Sequence, residues 1–175
     1  WYVSTPLLVP VGGDEPSASP VADSLVMEPV EAVSADGTAI EGYLVRPGRP
    51  EALSPRQSRV RDTLKLRGRM PHLEAKPELV VIATSWDQGV KGSLPLAEGL
   101  TGAGYTCLVW NPRGKNDARK FCTYGLKEYA DVTALLDAVS RKQGGLPPVA
   151  AVGQGFGAAV LLKAASEDPR IRCMV

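Results

Sequence analysis

Histidine and cysteine are scarce in this chain, and neither has the spacing of metal ligands. The only histidine is His72, and the three cysteines form no C-x-x-C pair. The sequence therefore predicts no metal site. Cys107 and Cys173 lie in apolar runs that predict buried strands, where cysteine behaves as a small hydrophobic residue. Cys122 is the alternative candidate, for a disulfide or a reactive thiol.

The chain also lacks an excess of charge and a long hydrophobic run. Its 20 Lys and Arg residues and 19 Asp and Glu residues give a formal net charge of +1, which indicates no nucleic-acid partner. No apolar run approaches the roughly 18 residues that span a bilayer. Because the chain begins at Trp1 and not at Met, we expect a segment upstream, as in organelle-targeted, exported or membrane-anchored proteins. The compartment stays open.

Proline and glycine divide the 175 residues into two parts. Residues 1–25 are rich in proline, glycine and small polar residues, which predicts an extended arm. Residues 26–175 have the length of one domain with a sizeable core. A basic, proline-containing insertion at 47–78 is predicted to be a solvated loop with a short helical turn near 59–66. The alternative is a segment that docks a partner.

The spacing of hydrophobic residues predicts an α/β fold. Two apolar runs in 25–46 flank the turn signal Ala35-Asp-Gly-Thr38, which predicts a hairpin. After residue 78, apolar runs alternate with segments of helical spacing, which predicts a mostly parallel sheet with helices on both faces. The predicted strands are 79–83, 105–110, 149–152 and 171–175, and the predicted helices are 94–100, 126–139 and 158–165. Because the chain ends in a predicted strand, we expect the C-terminal part of the domain to be missing.

The stretch VAAVGQGFGAAV at 149–160 has the outline of a nucleophile elbow without its nucleophile. In a G-x-S-x-G elbow, a buried strand turns sharply into a helix and presents a serine hydroxyl, and small flanking residues allow the turn. Gly153 and Gly157 supply the outer glycines. The serine position is Gly155, which has no side chain to attack a carbonyl carbon. The sequence therefore predicts a degenerate elbow.

Several motifs around this stretch follow a recognisable order. They are Asp36-Gly37 in the hairpin, Asn111-Pro-Arg-Gly114 after a strand, YGLKEYAD at 124–131, the elbow, and Asp168-Pro-Arg-Ile171 before the last strand. Together they resemble the N-terminal half of an α/β-hydrolase, most closely the serine esterase and peptidase-like branch that often carries an N-terminal membrane anchor. The resemblance covers residues 25–175. It implies a serine nucleophile, with an acid and a histidine beyond Val175.

The resemblance also implies where an oxyanion hole would lie. Such enzymes use backbone N–H groups of the residue after the nucleophile and of the loop after the third strand. These positions correspond to Phe156 and Trp86. Backbone donors do not depend on side chains, so an anion-binding pocket is expected to persist without catalysis. Ser85 and Cys107 are the candidates for a relocated nucleophile, but neither has a base in this sequence.

The acidic residues near the motifs have a structural interpretation. Asp87, Glu128 and Asp131 are expected to cap helices or to pair with arginines such as Arg113, because a carboxylate near a helix start is ordinary stabilisation. No cofactor is implied by these residues.

The same glycines permit a different interpretation. Gly153, Gly155 and Ala158 match the G-x-G-x-x-A form of the dinucleotide fingerprint. That fingerprint expects an acid about twenty residues further on, a position that falls at or past Val175. It also usually opens its domain, whereas several strands and helices precede it here.

Three functions are therefore compatible with the sequence. The leading prediction is a catalytically inactive α/β-hydrolase-like protein that serves as a structural or interaction subunit, in a larger assembly or with a protein partner. The alternatives are a serine ester or peptide hydrolase, seen as a fragment or in a nucleophile-altered form, and a dinucleotide-binding Rossmann-like domain.

Overall fold

The computed structural model describes residues 25–48, 53–67, 79–85, 88–114 and 122–175. The predicted arm lies outside these residues except for Leu25. His72, Trp86 and Asp87 also lie outside them. Across the described ranges, no helix combines the length and the apolar character needed to cross a membrane.

Six strands form one mixed sheet. They are β1 (Leu25–Val33), β2 (Ala39–Pro47), β3 (Leu79–Ala83), β4 (Thr106–Trp110), β5 (Val149–Gly153) and β6 (Ile171–Met174). Their order across the sheet is β1-β2-β4-β3-β5-β6. β1 pairs antiparallel with β2, and β2 pairs antiparallel with β4. β4, β3, β5 and β6 are mutually parallel, which confirms the predicted sheet and its N-terminal hairpin.

Four helices accompany the sheet. They are α1 (Pro55–Leu66), α2 (Gly89–Gly102), α3 (Glu128–Gln143) and α4 (Phe156–Glu167). Successive strand residues point to opposite faces, so Val80 and Ile82 join the core under α2 while Val81 joins the core under α3 and α4. The helices predicted at 94–100, 126–139 and 158–165 correspond to α2, α3 and α4. The prediction of helices on both faces is confirmed.

The hairpin turn uses the predicted Asp-Gly pair. Gly37 has a φ of 79°, which glycine adopts without strain. The N–H of Ser34 donates to the carbonyl of Thr38 at 2.8 Å, and the N–H of Thr38 donates to the Asp36 carboxylate at 3.2 Å. Turn chemistry therefore fixes the register of β1 against β2.

The basic insertion holds more helix than the sequence analysis predicted. α1 has 12 residues and starts at Pro55, well before the helical turn expected near 59–66. The overlooked signal is Ser54-Pro-x-Gln57, a capping box with proline at the first helical position. The N–H of Gln57 donates to the Ser54 hydroxyl at 3.2 Å, and the N–H of Ser54 donates to the Gln57 side chain at 2.8 Å.

The prediction that Cys173 is buried is wrong. Its thiol is free and exposed, whereas those of Cys107 and Cys122 are free and buried. The difference arises from sheet order, because β6 is an edge strand and no described element covers that position. Burial raises the pKa of the Cys122 thiol, which works against the reactive role considered for it.

Candidate functional site at the turn between strand 5 and helix 4

The turn from β5 into α4 is sharp. Gly155 stands at its apex as the N-cap of α4, with φ 57° and ψ −123°. This backbone conformation is strained for any residue with a side chain. A strained strand-to-helix turn is also what presents the nucleophile in a G-x-S-x-G motif.

The outer glycines of the turn are required by crowding. A Cβ at Gly153 would lie 2.5 Å from the Cα of Ala158, and a Cβ at Gly157 would lie 2.3 Å from the carbonyl oxygen of Ala83. Both distances are far below contact distance, so a side chain at either position would push α4 away from the sheet. Gly155 differs, because the nearest atom to its added Cβ would be the Ser85 hydroxyl oxygen at 3.9 Å. Of the three glycine positions in this turn, only the apex has room for a side chain.

Backbone hydrogen bonds hold the turn against β3. The N–H of Gln154 donates to the carbonyl of Ala83 at 2.9 Å, and the N–H of Gly157 donates to the carbonyl of Gln154 at 3.0 Å. The N–H of Ala158 donates to the carbonyl of Gly155 at 3.1 Å. Phe156 is the first residue of α4, and its N–H has no hydrogen-bond partner among the described residues. A free N–H is usual at a helix N-terminus, and the oxyanion-hole role of Phe156 stays a prediction.

A small pocket lies beside this turn, at the carboxyl ends of β3, β4 and β5. Its lining includes Ser85, Trp110, Glu128 and Phe156. The ring of Phe156 packs edge-to-face against Tyr124, with ring centroids 6.1 Å apart. The site thus combines one free backbone donor with hydroxyl groups and an aromatic wall.

The hydroxyls of Thr84 and Ser93 also line the pocket and lie 3.4 Å apart. Ser93 donates to the carbonyl of Gly89 at 3.2 Å. Their proximity joins the end of β3 to α2, and no local sequence pattern predicts it.

Glu128 lines the pocket but is already committed to hydrogen bonds. Its carboxylate accepts from the N–H of Thr123 at 2.6 Å, from the Thr123 hydroxyl at 2.8 Å and from the N–H of Gly125 at 2.8 Å. Burial alone would raise the pKa of Glu128, but these donors hold it below its ordinary value. Glu128 therefore fixes the loop before α3, a structural role that differs from the helix cap or arginine pair predicted for it.

Arg113 joins three segments behind the site. Its Nε donates to Asp131 at 2.9 Å, Nη1 donates to Asp36 at 2.8 Å, and Nη2 donates to the Ser34 hydroxyl at 3.3 Å. Asp131 is fully buried. Burial raises the pKa of Asp131, and the Arg113 guanidinium opposes that shift. The predicted pairing of Asp131 with Arg113 is confirmed.

The candidates for a relocated nucleophile differ in their surroundings. Cys107 is completely buried, and burial raises its pKa to about 12, so it offers no thiolate near neutral pH. Ser85 lies at the pocket, but no imidazole lies near its hydroxyl oxygen among the described residues.

Trp86 lies outside the described residues, so its oxyanion-hole role stays a prediction. In the described ranges, no group of three or more His, Cys, Asp or Glu residues could hold a metal ion.

Comparison with known proteins relates this architecture to solved structures. No protein-family model matches the sequence, and no curated protein matches it. An esterase from Pyrococcus furiosus superposes with a TM-score of 0.65 at 18% identity, over 94% of this chain and 55% of that chain. A cold-adapted esterase from an Arctic intertidal metagenomic library gives 0.54 at 16% identity, over 93% and 60%. The α/β-hydrolase GrgF from Penicillium sp. sh18 gives 0.53 at 20% identity, over 85% and 44%.

These likenesses establish the fold. The described strands and helices form an α/β-hydrolase fold, which confirms the fold predicted from the order of the motifs. The chain spans about half the length of the structures that it matches. This coverage fits the expectation that the chain corresponds to one half of such a domain.

Proposed function

We propose that this chain belongs to a protein that uses the α/β-hydrolase fold without hydrolase chemistry, as a structural or interaction subunit. The observation that carries the proposal is Gly155 at the apex of the β5–α4 turn. The sharp turn, the crowded outer glycines and the free N–H of Phe156 are all present around it. The attacking side chain is missing from the apex, and without a nucleophile no acyl-enzyme can form.

Backbone energetics also favour glycine at the apex of the turn. A residue with a side chain held at a strained φ and ψ costs about 1–3 kcal/mol, which an enzyme tolerates for the sake of its mechanism. Glycine avoids that strain. A protein that no longer needs the hydroxyl would therefore gain stability from glycine at the apex while keeping the rest of the fold.

A serine ester or peptide hydrolase is the second candidate. It is favoured by the room at the apex, where an added Cβ would meet nothing nearer than the Ser85 hydroxyl at 3.9 Å. In this case a nucleophile-altered form would retain the remaining machinery. Activity would also require the acid and histidine that the resemblance implies beyond Val175.

A dinucleotide-binding domain is not proposed, because the observed topology argues against it. Rossmann domains have the strand order 3-2-1-4-5-6, and their glycine-rich turn follows the first strand. Here the glycine-rich turn follows β5, and an antiparallel hairpin stands at one edge of the sheet.

A fluorophosphonate probe tests the proposal, because it labels activated serine hydroxyls covalently. We expect no labelled serine when the full-length protein is incubated with the probe and digested for mass spectrometry. Labelling that disappears in Ser85→Ala would assign a relocated nucleophile and overturn the inactive interpretation. Labelling at any other serine of the folded protein would overturn it as well. A known serine esterase serves as the positive control, and heat-denatured protein reports nonspecific reaction.

A further inference from the structure

α1 forms an additional layer of the fold and is fixed to α2 by polar contacts. Gln57 is completely buried, and its side chain donates to the Thr101 hydroxyl at 3.0 Å. The Ser54 hydroxyl donates to the carboxylate of Glu98. The two helices approach closely, since a Cβ at Gly102 would lie 2.8 Å from the Cα of Gln57. α1 is therefore held in one orientation, with its opposite face toward solvent.

The solvent face of α1 is strongly basic. Residues 55–67 contain five cationic residues and a single acid, Asp62. Four of the cationic residues are exposed and have no ion pair among the described residues; they are Arg56, Arg59, Lys65 and Arg67. By contrast, Lys142, Lys163 and Arg170 each pair with a carboxylate on the other side of the sheet. Lys91, Arg141 and Arg172 are also exposed without an ion pair among the described residues, but each lies on a different element. Among the described elements, α1 therefore carries the largest group of unpaired cations.

The distribution of charge is unfavourable at the start of the helix, although Lys65 in the last turn and Asp62 beside Arg59 are favourably placed. The first turn of α1 contains Arg56 and no acidic residue, although the helix dipole favours acids there. Arg56 and Arg59 stand three positions apart, where like charges repel along a helix face. Sequences that break local rules without a structural gain do so most often at functional surfaces. An external anion would relieve both unfavourable interactions.

The shape of this face indicates what kind of anion it fits. The pocket at the β5–α4 turn and the cavity beside the C-terminus of α3 are both lined by residues outside α1. A peptide ligand needs a groove or a free strand edge; α1 offers no strand edge, and neither of these two pockets includes its charges. Arg56, Arg59 and Arg67 lie within about 80° of one another around the helix axis and share one side of it. At its end, Leu66 is 89% exposed between Lys65 and Arg67. One apolar residue among cations suits contact with lipid headgroups and the upper acyl region.

We propose that the exposed face of α1 binds the surface of an anionic lipid bilayer. The cationic side chains contact the headgroups, and Leu66 adds a shallow apolar contact. Binding is peripheral, because α1 exposes too little apolar surface to insert. The inference does not depend on Gly155 or on whether the protein is an enzyme. Each basic residue near an anionic membrane contributes about fivefold to the partition coefficient.

Vesicle co-sedimentation of the full-length protein tests this proposal. Vesicles of phosphatidylcholine with phosphatidylserine are compared with pure phosphatidylcholine, at low and at physiological salt. We expect binding to the anionic vesicles only, weakened by salt. The double variant R56Q/R59Q should lower the partition coefficient about 30-fold. Its melting temperature should not fall, because both side chains are exposed.

The matched control removes the same charge elsewhere. Arg141 and Arg172 are exposed on α3 and β6, away from α1. R141Q/R172Q should leave the partition coefficient within about twofold of wild type. Equal loss in both double variants, equal binding to neutral vesicles, or no vesicle binding would overturn the proposal. If a polyglutamate peptide or a DNA duplex binds through Arg56 and Arg59 while vesicles do not, the lipid assignment is wrong.

Discussion

At Gly155 the chain keeps the sharp turn of the fold but lacks a side chain that could react. Gly155→Ser places a hydroxyl at an apex that has room for it, at a strain cost of about 1–3 kcal/mol. In a full-length protein with the implied histidine, we expect weak turnover of an activated ester and fluorophosphonate labelling at residue 155. Without a histidine the hydroxyl lacks a base, so the 175-residue chain alone should show almost no turnover.

Gly155→Ala is the matched control for that experiment. It carries the same backbone strain without the hydroxyl, so its melting temperature should fall as much as that of Gly155→Ser, with no labelling. Strong esterase activity of Gly155→Ser in the 175-residue chain would contradict this account of the site.

Arg113 is the residue whose loss should most affect stability. Arg113→Met leaves Asp131 buried without its cation, and breaking a buried pair in this way costs about 3–5 kcal/mol. Urea denaturation measures the change in the free energy of unfolding. Arg172→Met is the control, because Arg172 is exposed and has no ion pair among the described residues; its effect should stay within about 0.5 kcal/mol. Comparable effects of the two substitutions would show that the Arg113 network is not structural.

The close contact between α4 and β3 depends on the absence of a side chain at Gly157. Gly157→Ala would bring a Cβ within 2.3 Å of the Ala83 carbonyl oxygen, and we expect a loss of about 1–3 kcal/mol from overpacking. Gly99 in α2 has nothing within 4 Å of an added Cβ, so Gly99→Ala should stabilise by about 0.5–1 kcal/mol through helix propensity. Thermal melts of the two variants should shift in opposite directions. A neutral Gly157→Ala would show that α4 is not tightly packed on β3.

The free edge of β6 is expected to determine whether molecules of this chain associate with one another. β6 pairs only with β5 among the described residues, and Val175 beside it is 86% exposed. Unpaired strand edges and exposed apolar surface favour association. We therefore expect the isolated 175-residue chain to self-associate through this edge. Light scattering tests this, and a monodisperse monomer that melts cooperatively would contradict it.

Features that depend on neighbours along the chain could be predicted from the sequence. Alternating apolar runs predicted the strands, Asp36-Gly37 predicted the hairpin turn, and the glycine spacing at 153–157 predicted the sharp turn with no side chain at its apex. These signals are local, because turn conformations and strand faces follow from a few consecutive residues. The capping box at Ser54 was also local, and α1 could have been predicted from it.

Which distant residues meet depends on the fold and could not be predicted from the sequence. The fold placed Arg113 between Asp36 and Asp131, and it left Cys173 exposed by putting β6 at an edge. It also brought the Ser85 hydroxyl to 3.9 Å from the position that a Cβ at residue 155 would take. These contacts between distant residues follow from the order of the strands in the sheet. That order depends on how the helices cover the sheet, and no short sequence motif encodes it. The same packing requires glycine at positions 153 and 157 but leaves room for a side chain at position 155. All three residues are glycine, so the sequence alone does not show this difference.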